Sequence, residues 1–145
     1  MYIDISVNIM VSPDTVWNAI THPEITRKYM FSDVVSSWKK GSYILWKGKN
    51  SDGNEIVFVR GIIQQIIPGK LLQYTLFDPN RGIPDLPHNY VVVRQELIQE
   101  AEGTRLQIHQ GDYADMDQGE EIYQETLKGW QMTLPVLKEL LEHSK

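Results

Sequence analysis

The segment KGWQMTLPVLKEL near the C-terminus limits the fold more than any other stretch. Residues are placed around a helix axis at about 100° per residue. One face then collects Ile122, Tyr123, Thr126, Leu127, Gly129, Trp130, Thr133, Leu134, Val136, Leu137, Leu140 and Leu141. The other collects Glu121, Gln124, Lys128, Gln131, Pro135, Lys138, Glu139 and Glu142. An apolar arc of about half the circumference is wide enough to lie across a curved sheet. Asp117 and Glu120 have the spacing of an N-terminal capping pair, and Glu121 adds negative charge at the positive end of the helix dipole.

Two residues in this helix are poor helix formers. Pro135 falls on the polar face, where water can satisfy the Gln131 carbonyl that loses its donor. A bend there curves the helix toward a core. Gly129 falls on the apolar face, between Thr126 and Thr133. Glycine in a helix interior costs about 1 kcal/mol relative to alanine. Either a neighbouring backbone or ring approaches closely, or space has been left. Beside a concave sheet, the stripe points to space.

The rest of the chain supplies such a sheet. YIDISVNIMV alternates Ile3, Ile5, Val7, Ile9 and Val11 against polar neighbours, the pattern of a half-buried strand. Ser12 and Pro13 then open a short helix with Val16, Trp17 and Ile20 on its apolar side. THPEITRKYM predicts a second, with Thr21 and Glu24 at capping-box spacing. A hairpin follows, turning at Asp52-Gly53, and its second arm breaks phase at IIQQII beside Gly61, where a bulge is expected. LLQYTLF, after Pro68-Gly69, and the paired arms NYVVVRQELI and TRLQIHQ add further strands. The expected order is one strand, two short helices, six strands and the long helix. This is an α+β arrangement, a single domain over residues 1–145 with an antiparallel sheet covered by helices on one face.

Three stretches carry a family resemblance: SPDTVWNAITHPE (Ser12–Glu24), GTRLQIHQGDYA (Gly103–Ala114) and GWQMTLPVLKEL (Gly129–Leu140). In this order and at these separations the chain resembles the activator of Hsp90 ATPase homologue 1-like family. That family is a branch of the helix-grip superfamily containing the START and Bet v 1-like domains. The resemblance implies a curved seven-stranded antiparallel sheet wrapped around the C-terminal helix, with a pocket between them. It implies a small hydrophobic or amphipathic ligand in many members, and cyclase chemistry in a few. The chaperone activator itself carries an additional N-terminal domain for which 145 residues leave no room.

Composition removes several functions. The net charge of −5 disfavours duplex nucleic acid and anionic membrane surfaces as partners. The absence of cysteine excludes thiolate metal sites, disulfides and cysteine catalysis. No apolar run is long enough to span a bilayer, and MYIDISVNIM lacks the layout of a signal peptide, so the expectation is a cytoplasmic protein without membrane insertion.

No two of His22, His88, His109 and His143 have the spacing of a metal pair on one element. The strand phase turns His109 outward with Arg105 and Gln107, and His22 reads as a helix-start residue. Asp112, Asp115 and Asp117 in GDYADMD read as turn and capping carboxylates, not a calcium loop. Gly41, Gly48 and Gly53 read as hairpin ends. No catalytic residue, cofactor or metal site is assigned.

Inward strand phases nominate a ligand-binding wall: Ile44 and Trp46, Phe58, Tyr74 and Leu76, Val91 and Val93, and Gln110. The helix contributes Thr126, Gly129, Trp130 and Thr133. Gln110 is either a polar anchor for a ligand or a satisfied amide at a strand end. In DPNRGIPDLPH, Ile83 and Leu86 either cover the pocket's mouth or sit on a plain surface loop. A binding protein for an apolar ligand is the leading reading. A cyclase- or hydratase-like enzyme and a chaperone-associated or homodimeric interaction domain are the alternatives. Exposed Trp38 or Tyr113 would signal the interaction domain, although Trp38 equally anchors a hairpin.

Overall fold

The computed structural model describes residues 1–143. Along the chain come β1 (Ile3–Ile9), α1 (Pro13–Thr21), α2 (Pro23–Tyr29), β2 (Asp33–Ser36), β3 (Tyr43–Lys49), β4 (Glu55–Ile67), β5 (Leu71–Leu76), a 3-10 turn (Pro87–Asn89), β6 (Val91–Glu100), β7 (Gly103–Gly111) and α3 (Gly119–His143). The strands form one antiparallel sheet in the order β1-β7-β6-β5-β4-β3-β2. From β2 onward each strand pairs with the next. Only β1 is placed non-locally, against β7, so α1 and α2 carry the chain from one edge of the sheet to the other. β2 is the strand whose residues the sequence pattern does not pick out, because four residues give too short a window for alternation.

The alternation of β1 survives intact. Ile5 stands opposite Ile108 and Val7 opposite Leu106, which puts them on one face. That face joins Ile9, Val16, Ala19, Ile20, Ile44, Ile63, Leu72 and Val93 in the main core.

Curvature comes from β4. The register slips twice, at Phe58 opposite the Trp46/Lys47 step and at Gln64 between Ile63 and Gln65. The second bulge is the one expected in IIQQII; the first is not visible in the sequence. Gly61 lies between them, and a Cβ there would fall 1.6 Å from the Thr75 carbonyl oxygen. No other residue fits this approach of β4 to β5. Bulges sharpen strand twist, so the sheet closes around its inner face.

One cap forms as expected and four local expectations change. α1 is capped by Ser12, whose Oγ accepts from the Thr15 N–H at 3.3 Å. The Thr21–Glu24 capping box does not form, because Thr21 is the last residue of α1 and its hydroxyl donates to the Trp17 carbonyl. His22 stands at the start of α2, but its Nδ1 donates back to the Asn18 carbonyl at 3.0 Å, closing α1 instead. Asp117 does not cap α3; its carboxylate accepts from Asn89 Nδ2 at 3.0 Å and lies 3.3 Å from His88 Nε2. Gly48 lies inside β3, not at a hairpin end, and a Cβ there would meet the Phe58 ring.

α3 grips the sheet at its two ends. Leu134 and Leu137 are buried in the main core, with Leu140 and Leu141 packed beside them. Near the N-terminal end, Ile122, Tyr123 and Leu127 pack on a smaller cluster of Ile3, Val91 and Tyr113. Polar ties hold the far end, where Lys138 Nζ donates to the Asn8 carbonyl at 2.6 Å and Glu142 accepts the Met10 N–H at 2.9 Å. Between these anchors the helix is not pressed down. Gly129 is exposed and nothing lies within 4 Å of where its Cβ would be. The sequence placed Gly129 and Val136 on the buried side; both are exposed.

Candidate functional site

The gap under α3 is a cavity with two lobes. The outer lobe, about 210 Å³, has Trp46, Val59, Tyr74 and Leu76 as its sheet wall and Thr126, Gly129, Trp130 and Thr133 as its helix wall. Met30, at the end of α2, and Gln110 complete it. The inner lobe, about 150 Å³, lies toward the start of α3 and adds Val91, Tyr113, Met116 and Ile122, with the Asp78 carboxylate also on its wall. Val59, Leu76, Gln110 and Thr126 belong to both walls and form the waist between them. Gly129, exposed and on the outer wall, marks the mouth.

Each nominated residue has a definite place. Trp46, Tyr74, Gly129, Trp130 and Thr133 face the outer lobe, Val91 the inner, and Leu76, Gln110 and Thr126 the waist. Ile44 and Val93 lie on the inward face but are sealed in the core and do not line either lobe. Phe58 does not line either lobe, because the bulge at Phe58 hands the inward position to Val59. The sequence offered no sign of that slip, nor of Met30. Ile83 in the loop of residues 78–90 lines the inner lobe, whereas Leu86 is exposed.

That loop is fastened over the inner lobe at several points. Arg81 pairs with Glu121 and Glu125 of α3. Buried Asn89 donates to the Pro84 carbonyl and to Asp117, and accepts the Asp117 N–H at 2.9 Å. On the outer face of the sheet, Asp85 accepts from both Arg60 (2.8 Å) and the Tyr90 hydroxyl (2.6 Å).

The waist holds a fixed polar network. Trp130 Nε1 lies 2.9 Å from the Gln110 side-chain oxygen, and an indole N–H can only donate, so the amide orientation is decided. Gln110 Nε2 then donates to the Tyr113 hydroxyl at 2.8 Å. Gln110, 1% exposed, is thus a satisfied amide whose second N–H remains unspent. Deeper in the wall, Tyr74 donates to the Gln95 side-chain oxygen at 3.3 Å. Trp46, 5% exposed and 5.2 Å from Tyr74 between ring centroids, has an enclosed Nε1 with no acceptor. An unmet buried donor of this kind costs about 1–3 kcal/mol.

Electrostatically the outer lobe is neutral. Its wall has no carboxylate, imidazole, ammonium or guanidinium. Burial pushes the Tyr74 phenol far above its ordinary range, and neighbouring Tyr29 and Tyr113 add to that. Burial also raises Tyr113, against the opposing effect of hydrogen bonds from Thr126 and Gln110. His109 faces outward, stacked on Tyr2 at 4.9 Å. Tyr113 is buried and Trp38 packs against the main core, so neither offers the exposed aromatic surface of an interaction domain.

Comparison with known proteins agrees with this fold. A solution structure of a Cytophaga hutchinsonii protein is 34% identical, covering 98% of this chain and 94% of that one, with a TM-score of 0.78. A Mesorhizobium loti protein is 20% identical over 100% of this chain and 99% of its own, also with a TM-score of 0.78. The Aha1 dimer of Colwellia psychrerythraea is 17% identical over 100% and 98%, with a TM-score of 0.75. The last two share the fold alone. No curated protein matches the chain. Among the described residues no helix is long and apolar enough to cross a membrane. The family model for Activator of Hsp90 ATPase homolog 1-like protein matches residues 10–142, and the chain belongs to that family.

Proposed function

We propose that the protein binds a small hydrophobic or amphipathic molecule in the two-lobed cavity between the sheet and α3. The observation that carries this reading is the way α3 is held. It is clamped at both ends, and between the clamps Thr126, Gly129 and Thr133 leave room beneath it. Glycine and threonine are poor choices for a helix that only needs to pack, and wide space under them is what a ligand site requires. An engineered apolar cavity of about 150 Å³ is enough to hold benzene. Each lobe therefore suits a ring-sized group, and the pair suits a two-ring molecule better than a long acyl chain.

A non-catalytic role is favoured over a cyclase or hydratase. The phenols of Tyr74 in the outer lobe and Tyr113 in the inner are pushed away from neutral pH, the wrong direction for acid–base work, and the one carboxylate on the wall, Asp78 of the inner lobe, already accepts the Asn80 N–H. Native mass spectrometry of protein purified without denaturation tests the binding reading, together with thermal melts against a panel of neutral aromatics. Binding should raise the melting temperature, and Thr133→Phe, which fills the outer lobe, should abolish the rise while leaving the circular dichroism spectrum intact. A rise that survives Thr133→Phe, or no rise with any compound, would remove the proposal.

A homodimer is the second reading, prompted by the dimer reported for the Colwellia psychrerythraea protein. Tyr43 and Ile62 stand opposite each other on the outer face, both exposed, with exposed Val35 on neighbouring β2. Light scattering of wild type and Tyr43→Lys decides it; a strictly monomeric wild type ends this reading.

A further inference from the structure

We propose that Phe31 completes the binding site, its ring folding over the mouth to cover a bound ligand. This rests on the binding reading above and adds a ligand-contacting residue that lines neither lobe.

The mouth has two sides. On one, Met30 at the end of α2 lines the outer lobe, and Phe31 follows it directly. On the other, Gly129 is joined by Met132 and Val136, which stand about 60° and 20° from it on the same flank of α3. Lys138, on the opposite flank, reaches β1. The Gly129 flank is therefore turned toward α2, which packs against α3. Phe31 and Met132 are 78% and 74% exposed, the two most exposed large hydrophobic side chains among the described residues. Val136 is exposed as well. So much apolar surface in water at one opening is unfavourable, and a ligand seated in the outer lobe gives it something to cover.

The turn that carries Phe31 is clamped on both sides by Thr26. The Met30 N–H donates to the Thr26 carbonyl at 2.7 Å. The Thr26 hydroxyl donates to the Ser32 carbonyl at 2.9 Å and accepts the Val34 N–H at 3.2 Å. Between these ties Phe31 sits at a φ of 57°, in the left-handed region where a bulky residue is an outlier. Rotation back to the ordinary region relieves that strain and re-aims the ring while its neighbours stay held. Across the mouth, nothing lies within 4 Å of where a Gly129 Cβ would be, so the ring has room to settle.

N-phenyl-1-naphthylamine, a neutral aromatic whose fluorescence rises in apolar surroundings, is a suitable probe. The chain has three phenylalanines, so protein labelled with 4-fluorophenylalanine gives three fluorine resonances, and Phe31→Leu assigns one of them. Without probe, the Phe31 resonance should show the solvent isotope shift of an exposed ring. At saturation it should move and lose most of that shift. Phe31→Ala should weaken probe binding about tenfold, mostly through faster dissociation, whereas Phe31→Leu should stay within about threefold of wild type. A probe that binds, is blocked by Thr133→Phe and leaves the Phe31 resonance exposed would overturn the closure while the binding reading stands. Equal affinity and dissociation rate in wild type and Phe31→Ala would overturn it in the same way. A probe that does not bind at all would also overturn the closure, and native mass spectrometry then decides the binding reading by itself.

Discussion

Replacing Gly129 by alanine separates the two physical explanations for a glycine in the middle of α3. If another element packed tightly there, an added methyl group would overfill the contact and cost about 1–3 kcal/mol. The structure has nothing within 4 Å of the new Cβ, and the position is exposed. The only remaining effect is backbone propensity, which favours alanine by about 1 kcal/mol in a helix interior. The sign therefore reverses, and Gly129→Ala should stabilise the protein. For a chain of this length, an unfolding entropy of about 0.3 kcal/mol per kelvin turns that gain into a rise of about 3 °C in melting temperature. Differential scanning calorimetry of unliganded wild type and variant, checked by urea unfolding with an unchanged m-value, measures it. A melting temperature lowered by the substitution would mean that α3 lies against a neighbour at Gly129. The mouth of the cavity would then be closed, and the space under the helix would lose its most direct support.

Alkaline pH should destabilise the fold. Burial raises the phenols of Tyr29, Tyr74 and Tyr113 above the ordinary value near 10, so the unfolded chain releases these protons before the folded one does. Stability is then intact below about pH 10 and falls as pH rises beyond it, by up to about 1.4 kcal/mol per pH unit for each tyrosine. Urea midpoints between pH 8 and 11 read this, and a flat profile would contradict the burial of the three rings. Asn89→Leu should cost about 2–3 kcal/mol, because it strands the Asp117 N–H and the Pro84 carbonyl and unfastens residues 78–90 from the start of α3. A lowered urea midpoint with faster amide exchange in that loop is expected, and an unchanged midpoint would show that the loop is held by Arg81 alone.

Much of the site was legible because strand and helix periods are local properties. The inward phase of Trp46, Tyr74 and Gln110 follows from alternation alone, and all three reach the cavity. Alternation fails wherever a strand slips by one residue. Phe58 was assigned inward on phase, but the bulge gives that place to Val59, and nothing near Phe58 announces the slip. Phase also cannot tell a cavity wall from a sealed core, and Ile44 and Val93 point the right way yet meet only other side chains. Gly129 was placed on the correct arc of the helix but assumed to be covered. Its exposure depends on how far α3 stands off the sheet, a distance set by Leu134 and Leu137 at one end and by Ile122 and Tyr123 at the other.

The amino-acid sequence alone determined the order of the elements other than β2, the wide apolar arc of the closing helix and the family, because hydrophobic period, turn residues and short motifs are written locally. Tertiary structure alone decided which inward residues border empty space, how the Gln110 amide is oriented and which buried donors lack partners. Those properties arise from distances between segments far apart in the chain, and no local pattern encodes them.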